Sequence, residues 1–478
     1  PSAASKSPPA DVIVHGGVFI TMDARAPEAE AVAIRDGRLI AVGTSAEVMA
    51  LRGDSTKLID IEGATAVPGL IDSHMHFGRL GKRARELYLD ETKSPAEAIA
   101  IVSARIKETA KGAWVVGKGW HTVNWNETYP DNRALSAATP DHPVYLAGMA
   151  NHATWVNDKA LAIAGIDKNT PDPKDGKIVR DAEGNATGIL IESAKELVSR
   201  HLPREDRDQR LDDLRASVAT ALRLGLTEVH DAGSSLDDIA MYQQLLDAGQ
   251  LGVRLHLMHY IEKDGPKLDA FLKRPPAHGL GDGFLNIEAI KVYADGALGA
   301  RGAALLAPYS DAPGSTGMVA NDAEALTSIM RKASRAGYQV GVHAIGDRGN
   351  RNVIDAVATV RAELGDAVRR PRIEHAQVIA VADIPRFAKQ KIIAAMQPIH
   401  CTMDMGFAGK RLGPKRLAGA YAWRSLLDAG VKIVGSADTP AFPIATSNPL
   451  WGIHAAITRT DRNGHPAGGF MPEQRVSA

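Results

Sequence analysis

From about residue 70 onward, short apolar β-branched runs alternate with helical stretches, and this alternation narrows the fold more than any other feature of the sequence. The runs are Leu70–His76 (LIDSHMH), Leu226–Gly233 (LTEVHDAG), Gly252–Tyr260 (GVRLHLMHY), Ile287–Gly296 (IEAIKVYADG), Tyr338–Asp347 (YQVGVHAIGD), Pro371–Gln377 (PRIEHAQ), Ile392–Pro398 (IIAAMQP) and Val431–Asp438 (VKIVGSAD). Helical patterns such as DDLRASVATALRLG and DAEALTSIMRKASRAG precede several of them. Parallel strands need a crossover between them, usually a helix. Eight such βα units predict an α/β fold, a (β/α)8 TIM barrel, with its functional groups at the C-terminal ends of the strands.

Two other stretches do not fit the alternation. Residues 1–10 are rich in Pro, Ser and Ala and read as a flexible leader. Residues 11–67 carry β-like runs punctuated by Gly, with Asp36-Gly37 between two of them as a hairpin signal. They predict a small, β-sandwich-like N-terminal domain, followed by the barrel over 68–478. Between the first and second barrel strands, residues from about 78 to 210 are too many for a βα loop. They predict an inserted subdomain that covers the barrel mouth.

Composition removes several function classes. The 478 residues carry 56 Lys+Arg and 56 Asp+Glu. A neutral chain lacks the basic footprint of a nucleic-acid binder. No apolar run reaches the roughly 18 residues of a membrane helix. The single cysteine, Cys401, excludes an internal disulfide and a thiolate zinc cluster. Sixteen histidines could build a metal site without sulfur. The leader leaves cytoplasmic and exported locations both open, and homo-oligomerisation is open as well.

Several predicted strands end in a metal-ligating or polar residue. On the first, His74 and His76 are i and i+2, so both imidazoles lie on one face. On the fourth, Lys291 is flanked by Ile290 and Val292, and Tyr293 and Asp295 share its face. The apolar neighbours should pack on helices, so Lys291 should point into the barrel. There a lysine is costly unless paired, for which Asp295 or Glu288 is a candidate, or chemically altered. His343 on the fifth strand faces away from Val340 and Val342. On the sixth, Ile373, His375 and Gln377 share a face, and Asp438 ends the eighth. Imidazoles and carboxylates suit divalent zinc.

The blocks PGLIDSHMH, GKGWHTVNW, NHATWVNDKALAIAGI, IKVYADGALGARGAAL, GVHAIGDRGN, RIEHAQ and GSADTP appear in this order between about Val67 and Gln474. Together they resemble the amidohydrolase superfamily, and more narrowly the family-3 metal-dependent amidohydrolases, which include N-substituted formamide deformylase. The resemblance implies a barrel with a binuclear metal centre. In it His74 and His76 would bind the more buried ion, His343 and His375 the other. Lys291, carboxylated by carbon dioxide on its side-chain nitrogen, would bridge the two, and Asp438 would complete the buried site. The expected cofactors are therefore two divalent ions, zinc first among them. Chains of this family continue past the eighth strand to complete the small β-domain. This sequence stops at MPEQRVSA, so the hairpins of 11–67 are expected to have open edges.

The expected reaction is hydrolysis of a C–N amide-type bond in a small molecule, by a hydroxide held between the two ions. Asp438 would be the catalytic residue, taking the water's proton and later giving it to the departing nitrogen. On the substrate side, Trp120, His121, Trp125, His152 and Trp155 of the insertion would form an aromatic lid, or else the tryptophans are the insertion's own core. Tyr293 would hydrogen-bond the tetrahedral oxyanion and Gln397 would touch substrate. His230 would support a ligand or meet substrate. Asp347 and Arg348 would fix the loop after His343, and Cys401 would be a small buried residue. Three alternatives stay open: a deaminase of the same superfamily, an ester, lactone or phosphotriester hydrolase, and a non-catalytic metal-binding regulatory protein. The absence of a Glu in His343-Ala-Ile-Gly-Asp347 and the presence of Lys291 favour the amide hydrolase over the deaminase.

Overall fold

The structure is a computed structural model and describes residues 8–125, 129–148, 153–203, 206–439 and 448–477. The chain divides into two compact units at Leu70/Ile71. In the first, Val12–His15, Ala31–Arg35, Arg38–Gly43 and Lys57–Asp60 form a four-stranded sheet, and a three-stranded sheet accompanies it. Its core is Ala10, Ile13, Ala31, Ala33 and Val48. Asp36 and Gly37 join Ala31–Arg35 to the edge strand Arg38–Gly43 with φ of 50° and 70°. Positive φ at both positions is what a two-residue hairpin turn requires, and an Asp-Gly pair adopts it readily.

In the second unit the eight predicted runs become eight strands: β1 (Leu70–Met75), β2 (Leu226–Ser234), β3 (Arg254–Tyr260), β4 (Leu285–Tyr293), β5 (Gln339–Ala344), β6 (Arg372–His375), β7 (Ile393–Met396) and β8 (Ile433–Gly435). They follow one another in sheet order, paired in parallel from β2 through β8, with β1 beside β2. Hydrogen bonds draw the two ends of this sheet into a nearly closed barrel. The Ser73 hydroxyl donates to the Gly435 carbonyl at 2.8 Å. The Asp438 N–H donates to the His74 carbonyl at 3.0 Å, and the His76 N–H to that of Thr439 at 2.7 Å. Asp72 accepts from the N–H groups of His74 and Ala437 at 3.0 and 3.1 Å.

The helices that intervene start where the sequence provides caps. Asp206 accepts from the Gln209 N–H at the start of Arg207–Arg223, and Asp322 from the Ala325 N–H at the start of Ala323–Arg335. Between β1 and β2 lies a six-stranded sheet. Leu87–Tyr88, Val115–Trp120 and Val144–Gly148 run parallel, and Ala153–Val156, Ala186–Glu192 and Gly176–Arg180 continue it antiparallel. Among the described residues no helix is long and apolar enough to cross a membrane.

Candidate metal centre

The C-terminal ends of β1 and β8 bring His74, His76 and Asp438 together. Asp438 Oδ1 lies 3.5 Å from His74 Nε2 and 3.4 Å from His76 Nε2. From β4, Lys291 Nζ reaches to 3.4 Å from His74 Nε2, and the lysine is fully buried. His343 and His375 come from β5 and β6 with ring centroids 4.5 Å apart, and His375 lies 4.9 Å from His74. All six residues of the expected ligand set therefore stand at one end of one barrel.

Two of the imidazoles are oriented by partners that also fix their tautomers. His74 Nδ1 donates to Glu374 Oε2 at 2.5 Å, so Nε2 carries the lone pair towards Lys291 and Asp438. Glu374 is gripped by Arg372, whose Nε and Nη2 donate to it at 2.7 and 3.0 Å. Arg372 in turn donates to the Ser73 carbonyl and to His230 Nδ1, both at 2.7 Å. Burial works to raise the Glu374 carboxyl, but Arg372 and Lys291 outweigh it and hold the group below its ordinary value. His375 Nδ1 donates to Gln397 Oε1 at 2.7 Å, while the Gln397 amide nitrogen is held by the Ala395 carbonyl and Ser436 Oγ. A ligating histidine characteristically gives its other N–H to such a partner.

Burial strips these imidazoles of charge. It pushes His76 and His343 down to about 3 and His74 and His375 well below the ordinary value, with Lys291 adding to the effect in each. Neutral imidazole is the form that binds a cation. Burial lowers Lys291 to about 8 and raises Asp438 to about 7. Among the described residues, Asp438 Oδ1 is buried without a hydrogen bond, and His343 has only a 3.6 Å approach of Nε2 to Asp295 Oδ1 and a contact with the Gly296 backbone. Such atoms are costly to bury unless something meets them. A divalent cation fits this donor set.

The structure corrects several sequence expectations. Neither Asp295 nor Glu288 pairs with Lys291. Asp295 is caged by the N–H groups of Ala304, Ile345 and Gly346 at 2.7–2.9 Å, and so ties the loops after β4 and β5 together. Glu288 lies beside His256 and His278. The simple alternation read on β6 also fails. The strand stops at His375, where φ turns to 75° and then 44° at Ala376. That turn sends His375 to the mouth while its neighbour Glu374 points into the barrel.

Gln397 does not stand as a free substrate contact, because its amide is taken up in orienting His375. Trp120 is 2% exposed, donates its indole N–H to the Leu146 carbonyl at 2.7 Å and stacks on Trp125, within the core of the six-stranded sheet. Of the two readings for the tryptophans, this placement is the core. Tyr293 does reach the site, stacked on His343 at 4.6 Å with Lys291 Nζ 4.9 Å from its ring. His152 lies outside the described residues. Asp347, at the start of the helix after β5, accepts from the Leu306 N–H in the loop after β4. Cys401 is buried, and its thiol is pushed up to about 12.

Sequence reasoning missed His400. It sits in the helix Pro398–Asp404 that follows β7, with Nε2 3.7 Å from Asp438 Oδ2 and its ring parallel to that of His375. Burial lowers it to about 4. His375, His400 and Asp438 form a second group with ligand atoms close enough to share an ion, beside His74, His76 and Asp438. The available signal was its position, three residues past Gln397, which follows β7.

Comparison with known proteins agrees with this geometry. The sequence model of the amidohydrolase family matches residues 57–478. The chain belongs to the amidohydrolase family. It is 33% identical to a putative amidohydrolase, YtcJ, of Bacillus subtilis, over 94% of this chain and 83% of that protein. It is 25% identical to the N-substituted formamide deformylase of Arthrobacter pascens, over 98% and 86%. Among solved structures, an uncharacterized metal-dependent hydrolase from Pyrococcus horikoshii superposes with a TM-score of 0.74 at 25% identity, covering 94% of this amidohydrolase-family chain and 86% of that one.

Proposed function

We propose that this chain is a metal-dependent hydrolase that cleaves a C–N amide-type bond in a small molecule: an amide, an N-substituted formamide or an N-acyl amine. The observation that carries the reading is the Asp438 carboxylate, set 3.4–3.7 Å from the buried imidazoles of His74 and His400 and the half-buried imidazole of His76 at the barrel mouth. His74, His76 and Asp438 would hold one divalent ion, zinc first among the candidates, and His343 and His375 a second. Lys291 would join the two once carboxylated. Its amine, lowered by burial, has a neutral fraction able to attack carbon dioxide, forming an N–C bond and releasing one proton. Carboxylation turns a buried cation into an anion with two donor oxygens. Bound ions supply Lewis acidity, which lowers the pKa of water towards about 7 and polarises a carbonyl.

The chain's own residues then have distinct tasks. Asp438, raised towards neutrality by burial, takes the proton of the attacking water and returns it to the departing nitrogen. Glu374 and Gln397 hold His74 and His375 in place. The Tyr293 hydroxyl is available to the oxygen that gains charge when the carbonyl carbon becomes tetrahedral. Products are a carboxylate and an amine.

The test joins metal analysis to a substrate panel of N-formyl amines, N-acyl amino acids and aryl amides. The reading expects two ions per chain and turnover of at least one amide class. Protein loaded with two ions but inert across the panel would sink it and favour a non-catalytic role. One ion per chain with release of ammonia from a ring C=N would favour a deaminase.

A further inference from the structure

Asp438 faces two ways. Oδ1 is directed at His74 and His76, at 3.5 and 3.4 Å, and Oδ2 at His400 Nε2, at 3.7 Å. Oδ1 therefore belongs to the ligand side, and Oδ2 is the oxygen left to carry a proton. His400 arrives differently from the other four imidazoles, from the first turn of the helix Pro398–Asp404 rather than from a strand end. Four strand-borne imidazoles, Lys291 and Oδ1 already supply enough donors for two ions. A catalytic centre must also keep positions open for water and substrate. A fifth imidazole is surplus as a ligand and is well placed as a partner for the reacting group.

Resting on the hydrolase reading above, we propose that His400 is a catalytic residue that hydrogen-bonds the departing nitrogen of the substrate, beside the oxygen of Asp438 that protonates it. Two groups 3.7 Å apart can both reach a single atom placed at hydrogen-bond distance from each. The N–H of a bound secondary amide donates to His400 Nε2, and Asp438 Oδ2 faces the same nitrogen. Once the new C–O bond makes the carbon tetrahedral, the nitrogen becomes pyramidal and gains one lone pair, which the N–H···Nε2 contact leaves free for Asp438. The C–N bond then breaks as that lone pair takes the proton that Asp438 received from water, and the hydrogen bond to His400 strengthens as the nitrogen gains positive charge. An interaction that strengthens past the ground state acts on kcat more than on KM. It matters most when the leaving amine is poor.

The experiment compares one acyl group, chosen from the panel, carried on an alkylamine and on 4-nitroaniline. Wild type is compared with His400→Asn and His400→Gln, and metal content and circular dichroism are recorded for each. The expected result for His400→Asn is unchanged metal content, a fall in kcat of about 100-fold for the alkylamide, under about 10-fold for the nitroanilide, and little change in KM. The side-chain amide oxygen of Gln can stand near the Nε2 position as an acceptor, so His400→Gln should recover part of the loss. Loss of metal in both variants would make His400 a ligand and overturn the proposal. Equal losses for the two leaving groups, or no loss, would overturn it as well. Wild type inert on every amide would instead remove the hydrolase reading itself, before any variant is compared.

Discussion

Glu374 Oε2 stands 2.5 Å from His74 Nδ1, and both residues are fully buried inside the barrel. The carboxylate holds the imidazole in the tautomer that presents Nε2 to the centre, and Arg372 keeps the carboxylate ionised. Glu374→Gln keeps an acceptor but removes the charge, and should weaken metal binding about 10–100-fold. Competition with a chromophoric chelator measures this. Glu374→Ala should in addition destabilise the fold by about 3–5 kcal/mol, because it leaves the Arg372 guanidinium buried without its partner. Denaturant unfolding of the metal-free proteins separates the two effects.

Lys291 predicts a dependence on carbon dioxide. Burial favours the neutral amine and lowers its pKa from 10.5 to about 8. At pH 7 about a tenth of such amines are neutral, roughly 300-fold more than for an ordinary lysine. Metal-free protein given zinc should regain its metal slowly in buffer purged of carbon dioxide and quickly with bicarbonate. At fixed dissolved carbon dioxide, the rate should rise with pH up to about 8 and then level off. A carbamate signal from 13C-labelled bicarbonate, absent in Lys291→Ala, checks the modification without reference to activity. The stability of the metal-free, unmodified protein has a matching sign. The unfolded chain binds the extra proton, so stability should increase as pH rises from about 8 to 10.5.

Much of the barrel was legible because most of its strands are apolar runs entered from a Gly, and a one-residue slip would turn the wrong side chains inward. The His74/His76 pair and the inward Lys291 followed from the same two-residue period. What escaped the period is where the backbone departs from it. His375 and Asp438 both have positive φ, 75° and 53°, and alternation cannot foresee that. Glu374 and Arg372 look like surface charges in RIEHAQ, because their compatibility with burial depends on each other and on residues 300 positions away. Gly341 carries the same information in reverse. A Cβ there would lie 2.8 Å from Glu374 Oε1, so the glycine marks where the carboxylate passes. His400 escaped because it sits on a helix, outside the strand pattern that located the others.

Trp120 distinguishes a lid from a core. Its ring is stacked 5.4 Å from Trp125, and the two belong to a cluster that includes Trp155, Leu135 and Leu146. Trp120→Ala should destabilise the protein by about 3–5 kcal/mol, as for other large core truncations. The fraction that remains folded should keep an unaltered KM. A denaturation curve and active-site-normalised kinetics give both numbers. A large KM effect with little loss of stability would return Trp120 to the substrate side.

Asp438 carries the proton chemistry, and its backbone makes the test clean. At φ 53° it occupies the left-handed region, which Asn tolerates about as well as Asp. Asp438→Asn should therefore keep its position and its contacts with His74 and His76 while losing the ability to accept a proton. Turnover should fall by about 10²–10⁴-fold with metal retained. The pH profile supplies a second, independent readout. A base works only when deprotonated, so wild-type kcat/KM should fall as pH drops through the pKa of this carboxyl. Burial sets that value at about 7 in the protein alone, and a neighbouring cation moves it lower. The acid limb should then appear below pH 7 in the wild type and be missing from whatever rate Asp438→Asn retains. Near-normal turnover in the variant, or an unchanged acid limb, would take Asp438 out of the mechanism and leave the base to be sought elsewhere at the mouth.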